Sequence, residues 1–261
     1  MPLSPLELST PVVILLIGSA SFVAWFFSML AGGGSPFILI PLLSLLLGTQ
    51  AVAPVITTGL LIGNTQRSLF FWKEIDWHVT AWYLPGCLGG AVLGAYIFTW
   101  VHADWLQILI GLALLGMVLN YWLGRSLKFL NQKFTMKAWY FLPAAFFNAV
   151  GSALIGSTGP IMNPMYFACG LEKEAMIATK ASNKAFLHVI KLISYAGLGV
   201  LEPNHIGYGL IIGLGAVPAN LIGKWVLERI TNDQFRQMVF AFVAVSGVVM
   251  IWEQRSWLLA W

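Results

Sequence analysis

The sequence predicts an all-α polytopic membrane protein: an inverted internal repeat of eight long transmembrane helices and two short broken or re-entrant ones. Three observations carry that expectation. Hydrophobic residues make up 59% of the 261 and charged residues only 9%, where a soluble domain carries about 25% charge to keep its surface in water. Apolar runs long enough to cross the hydrocarbon core as helices, about 20 residues, recur along the whole chain. The chain also matches itself when displaced by 124 positions. That shift sets Ser35-Pro36 on Gly159-Pro160, Ala51 on Ala175, Thr58 on Ser182 and Arg67 on Lys191.

The long runs are 12–30, 51–72, 79–100, 105–124, 138–156, 174–200, 205–225 and 235–252, and the short ones are 36–48 and 160–170. No basic residue precedes the first run and no small-residue cleavage site follows it, so a secretory signal is not expected. The break Ala31-Gly32-Gly33-Gly34-Ser35-Pro36 leads into the first short run. Proline suits the first turn of a helix, where its missing N–H is unpaired anyway, and Ser35 stands where an N-cap belongs. Pro41, further in, should distort the helix, as should Pro164 in the second short run. In 79–100, Gly86, Gly89, Gly90 and Gly94 form a small-residue face suited to close helix packing.

After 105–124 come Arg125, Lys128, Lys133 and Lys137, a basic cluster that the positive-inside rule places in the cytoplasm. The second half then repeats the first, with Gly156-Ser157-Thr158-Gly159-Pro160 as its break. The predicted organisation is a first membrane repeat at 1–124, a cytoplasmic basic linker at 125–137 and a second membrane repeat at 138–261. Lys73 falls on the linker's side, as do Lys224, Arg229 and Arg236, whereas the loops 101–104 and 201–204 hold no Lys or Arg. Each half adds three crossings to its long–short pair, which inverts the second half relative to the first. A multi-pass protein of the cell inner membrane with both termini outside follows. Trp72, Trp77, Trp100, Trp105, Trp139, Trp225 and Trp252 mark segment ends, as interfacial anchors do.

The chemistry gathers in two places. Non-helical backbone cannot face lipid, because unpaired N–H and C=O groups cost several kcal/mol each. Gly32, Gly33, Gly34 and Ser35, and Ser157, Thr158 and Gly159, therefore line a polar cavity or turn at the interface. Short helices starting at these breaks would aim free N–H groups and positive dipole ends there, which favours an anion. The second place is the run 174–200, where Lys180, Lys184, His188, Lys191 and Tyr195 recur at helical spacing along one face. A lysine at the bilayer centre costs about 2.5–3.5 kcal/mol, so this face must look into a cavity, a partner or a bound anion. Thr57, Asn64 and Arg67 occupy a corresponding face of 51–72, and Thr58, Ser182 and Asn183 add donors nearby. The competing reading pairs these cations with Glu172, Glu174 or Glu202 as structural salt bridges.

No Asp or Glu falls inside a long run away from its ends, so proton coupling would have to fall to His188 or to the substrate. His78, His102, His188 and His205 lack metal-ligand spacing, and Cys87 and Cys169 lie in apolar runs. No metal, cofactor, disulfide or catalytic residue is expected. A net charge of +4 is too small for nucleic-acid binding.

Ala31-Gly32-Gly33-Gly34 leading to Pro36 and Pro41, Ala51-Val52-Ala53 before Thr57-Thr58, and Gly89-Gly90 with Gly94 ahead of 105–124 together resemble the TauE/SafE sulfite exporter family of small anion permeases. The region 156–183 echoes the same pattern. Ser157-Thr158-Gly159 stands where that family has a richer glycine run, and Lys180 and Lys184 are unusual. The resemblance implies a transporter for sulfite, a sulfonate such as a taurine derivative or sulfoacetate, or a related sulfur oxyanion. The alternatives are a membrane-embedded enzyme acting on a lipid or small anion, and a passive anion channel. The expected partners are the small anionic substrate and the lipid bilayer, with a homodimer left open.

Overall fold

The computed structural model describes residues 9–100, 136–158 and 160–253, together with residues 112, 115, 116 and 119. The predicted run 105–124 and most of the basic linker, with Arg125, Lys128 and Lys133, therefore lie outside the described residues, as do Gly159 and Trp105. Among the described residues all regular structure is helical. The helices are α1 (Thr10–Leu30), α2 (Pro36–Leu47), α3 (Thr49–Phe70), α4 (Trp77–Phe98), α5 (Phe141–Ile155), α6 (Asn163–Ala168), α7 (Lys173–Gly197), α8 (Pro203–Leu227) and α9 (Asn232–Glu253). Four of these spans, α1, α4, α5 with the preceding 3-10 turn Ala138–Tyr140, and α8, are long and apolar enough to cross a membrane. α3, α7 and α9 have the length but carry more polar side chains.

Large apolar side chains stand on the outside of these helices, among them Leu15, Phe147 and Leu214, each more than 70% exposed. In water such a surface would aggregate; in a bilayer it is the face presented to acyl chains.

Two close helix pairs organise the bundle. α4 lies against α5 and α1 lies against α8. The first pair is possible because α4 presents glycine at every fourth position. A Cβ at Gly86 would strike the Leu142 carbonyl, one at Gly90 the Phe146 carbonyl, and one at Gly94 would come within 2.8 Å of the Val150 Cα. Gly89 faces only the Phe146 ring at ordinary contact distance, so it lies off the packing stripe. In the second pair Gly215 approaches the Gly18 carbonyl and Gly223 approaches the Met29 side chain. α3 runs between α8 and α7, and α7 also packs on α4. α8 meets α3 through Gly209 and Gly213, which face Thr58 and Ile62. Each close pair thus joins a helix before the linker to one after it.

The short helices differ from expectation in three details. Ser35 has helical angles (φ −49°, ψ −32°) and its side chain makes no capping bond, so Pro36 opens α2 without a serine cap. Pro164 lies in the first turn of α6 and so helps to open that helix, while Pro160 sits in the turn before it. α6 has 6 residues, shorter than the run 160–170 suggested. Lacking an N–H, proline is compatible with the first helical turn, and the chain uses Pro164 there.

Candidate functional site

Three successive glycines take positive φ between α1 and α2: Gly32 at 64°, Gly33 at 129° and Gly34 at 113°. Side chains would strain this backbone and would also lack room. A Cβ on Gly33 would sit 2.5 Å from Lys180 Nζ, and one on Gly34 would enter the Phe242 ring of α9. The break is therefore held bare against the basic face of α7. On the other side, Gly156 (φ 86°) lies against Ile56 and Ala53 of α3. The self-match pairs Ile56 with Lys180, so each break rests on an equivalent point of the opposite helix.

The basic side chains divide by what they hold. Lys180 Nζ donates to the Gly32 carbonyl (2.6 Å) and to Asn163 Oδ1 (2.5 Å), tying the first break to the start of α6. Arg67 donates from Nη1 to Ser28 Oγ (3.1 Å), from Nη2 to the Trp25 carbonyl (2.9 Å) and from Nε to Asn220 Oδ1 (2.8 Å), and it lies over the Trp25 ring. Lys191 Nζ donates to the Ser152 and Gly156 carbonyls (2.7 and 2.8 Å) and reaches Ser152 Oγ at 3.4 Å. Arg67 and Lys191 are partners in the 124-position match, and so are the serines they grip, Ser28 and Ser152.

Lys184 and His188 are held far less. Lys184 Nζ has one long bond, 3.3 Å to Thr158 Oγ1, although an ammonium carries three donors. Both ring nitrogens of His188 are buried without a hydrogen-bond partner. All five cationic or ionisable groups are buried, and His188 and Lys191 have no exposed surface.

Lys180, Lys184 and His188 line one cavity of about 40 Å³, together with Gly32, Gly33, Gly34, Ser35, Asn64, Arg67 and Ser157. Trp25, Ser28, Pro36, Leu60, Ile177 and Ala181 complete its wall. No carboxylate is among these residues. The acids that sequence offers as salt-bridge partners are engaged elsewhere: Glu174 pairs with Lys173, Glu172 accepts from Asn232, and Glu202 forms a reciprocal cap with His205 at the start of α8. The structural salt bridges are thus not formed. Carbonyl, hydroxyl and amide oxygens surround the cations instead, which stabilise a buried charge less completely than a carboxylate does.

The remaining sequence candidates among the described residues lie off the cavity wall. Thr57 and Thr58 bond back to the Ala53 and Pro54 carbonyls within α3. Thr158 donates to Asn148 Oδ1, and Asn148 in turn reaches the Tyr83 hydroxyl. Asn183 donates to the Tyr166 hydroxyl. Ser182 is buried, Lys191 stands behind the wall, and Gly159 lies outside the described residues. Sequence reading missed Trp25, Ser28, Asn163 and Asn220. Ser28 carried a usable signal, because the 124-position shift sets it on Ser152; Trp25 and Asn163 carried none.

A family model described as "Sulfite exporter TauE/SafE" matches residues 17–250. No curated protein and no solved structure matches the chain.

Proposed function

Because the chain belongs to the TauE/SafE sulfite exporter family, we propose that it carries a small sulfur oxyanion across the inner membrane, bound in the cavity at the first glycine break. The observation that carries this reading is a set of buried cations facing a cavity with no carboxylate in its wall. Such a site leaves positive charge uncompensated until an anion supplies the balance. Its volume fits the same reading. At 40 Å³, against roughly 10–15 Å³ for one water, it holds about three water-sized groups, the scale of an inorganic oxyanion. Sulfite is the first candidate, and sulfonates such as sulfoacetate require the cavity to widen. Lys184 and His188 are the proposed anion contacts. Lys180, Arg67 and Lys191 are proposed to fix the backbone around them. A transporter family also supports a non-enzymatic role.

The reading takes the protein as two inverted repeats, 1–124 and 138–261, joined by a cytoplasmic linker at 125–137, with both termini outside. Reciprocal packing supports it. α4 on α5 answers α8 on α1, α3 on α8 answers α7 on α4, and Arg67 with Ser28 answers Lys191 with Ser152. Sites between inverted repeats, formed where helices are broken, are a recurrent transporter arrangement.

The test is binding of sulfite, sulfate, thiosulfate, sulfoacetate and taurine to purified protein, followed by counterflow of the bound species in proteoliposomes. Saturable binding of at least one sulfur oxyanion with counterflow is expected. Binding of none of them sinks the reading, and flux without saturation or counterflow would make the protein a channel.

A further inference from the structure

We propose that His188 is a proton-binding site that couples proton movement to the anion, so that the loaded protein carries one more proton than the empty one. The inference rests on the anion reading above and adds the co-transported ion. His188 has no exposed surface, lines the cavity, and has no hydrogen-bond partner at either ring nitrogen. A neutral imidazole offers one donor and one acceptor, whereas the protonated ring offers two donors. The charged groups around it are all cations: Lys184 and Lys191 on its own helix α7, Lys180 further along that helix, and Arg67 on α3. The Asn64 amide on α3 is turned back to donate to the Leu60 carbonyl. From α4, Cys87 stands near Lys184 and Lys191. The α1 wall and the first break contribute Trp25, Ser28 and the glycines, none of them acidic.

A proton on His188 in the empty cavity therefore adds a cation to the four around it, with no carboxylate in the wall to balance it. An oxyanion supplies both the opposite charge and an acceptor for a ring N–H. Anion and proton then favour each other's binding by the same factor, because coupling between two sites is reciprocal. Histidine fits this role better than its lysine neighbours, since its ordinary titration falls between about pH 5 and pH 8. The proton comes from water on the side where the anion loads and returns to water where the anion leaves. The wall provides no carboxylate to do this work, which is how coupled transporters commonly manage it.

The sign follows from linkage. A group that holds its proton more tightly in the bound state makes binding tighter at low pH, and the gain fades as pH rises through the bound-state titration. The experiment is calorimetric titration of sulfite into wild-type protein and His188→Gln, each in two buffers of different ionisation enthalpy. Protons released or taken up by sulfite itself are common to both proteins and cancel in the difference. Wild type should take up close to one proton per anion more than the variant near pH 7, and its affinity should fall more steeply with pH by up to about ten-fold per unit. Equal uptake in the two proteins overturns the inference and leaves the anion reading standing. Failure of wild type to bind sulfite overturns the inference, and failure to bind any of the sulfur compounds above overturns the reading beneath it as well. Should the glutamine variant not bind, the wild-type slope decides after sulfite's own ionisation is subtracted: a slope near one proton supports coupling and a slope of zero removes it.

Discussion

Lys184 and Lys191 stand two turns apart on one helix face, yet their surroundings differ. Lys191 satisfies two carbonyls, Ser152 in the last turn of α5 and Gly156 at the second break, whereas Lys184 holds a single distant hydroxyl. Lys184→Met keeps the apolar stem and removes a charge the bilayer disfavours. Its melting temperature should be unchanged or higher. Anion affinity should drop by about 1.5–3 kcal/mol, the worth of a charge-assisted hydrogen bond, or roughly ten- to more than hundred-fold. Lys191→Met should do the reverse and lower the melting temperature, because two buried carbonyls lose their donor at about 1–3 kcal/mol each. Melting curves and sulfite titrations on both variants check this; equal effects would erase the distinction. The basic stripe was legible because charge inside an apolar run is conspicuous and helical spacing puts it on one face. Which member is held by carbonyls and which is left with a single long bond was not legible, since those carbonyls are brought in from α5 and the breaks. Trp25 was invisible for another reason: tryptophan in a membrane segment reads as an interfacial anchor, yet this one is buried beneath Arg67.

At the scale of elements, glycine does two separate jobs here. In the first break it provides backbone angles and bare space against Lys180 and Phe242. Gly33→Leu should abolish anion binding while the protein still inserts; normal binding by this variant would reduce the break to an interfacial turn. In α4 glycine instead lets two helix backbones touch. Gly90→Ala should lower the melting temperature, since its methyl group meets the α5 backbone, while the neighbouring Gly89→Ala should be tolerated. Equal melting of the two would contradict the packing described. The α4 stripe was legible in sequence because its period matches the helix, and Gly89 was the one member wrongly included. The seven long helices among the described residues were placed within a few residues of their ends for the same reason of period and length. The short helices were read less well. The choice between Pro160 and Pro164 as the opening proline, and the idle hydroxyl of Ser35, turn on local backbone angles that composition does not encode.

For the molecule as a whole, the orientation drawn from basic loops yields a direct test. Single cysteines introduced near positions 103 and 203 should label from outside intact cells, and one near 130 should not; the opposite pattern would reverse the orientation. The pairing of α1 with α8 and of α4 with α5 has a consequence for how the protein is made. The bond from Ser21 Oγ to the Ile212 carbonyl closes a separation of 191 residues, so α1 reaches the bilayer long before its partner leaves the ribosome. Until then the nascent first half holds Arg67 without Asn220, and a broken helix without the lysine that closes it. A chain stopped after residue 137 should insert and yet remain open to protease at the glycine break, and a second half expressed separately should restore its protection. Such a protein is assembled late and all at once, and the interval before α8 arrives is when its quality control has most to guard.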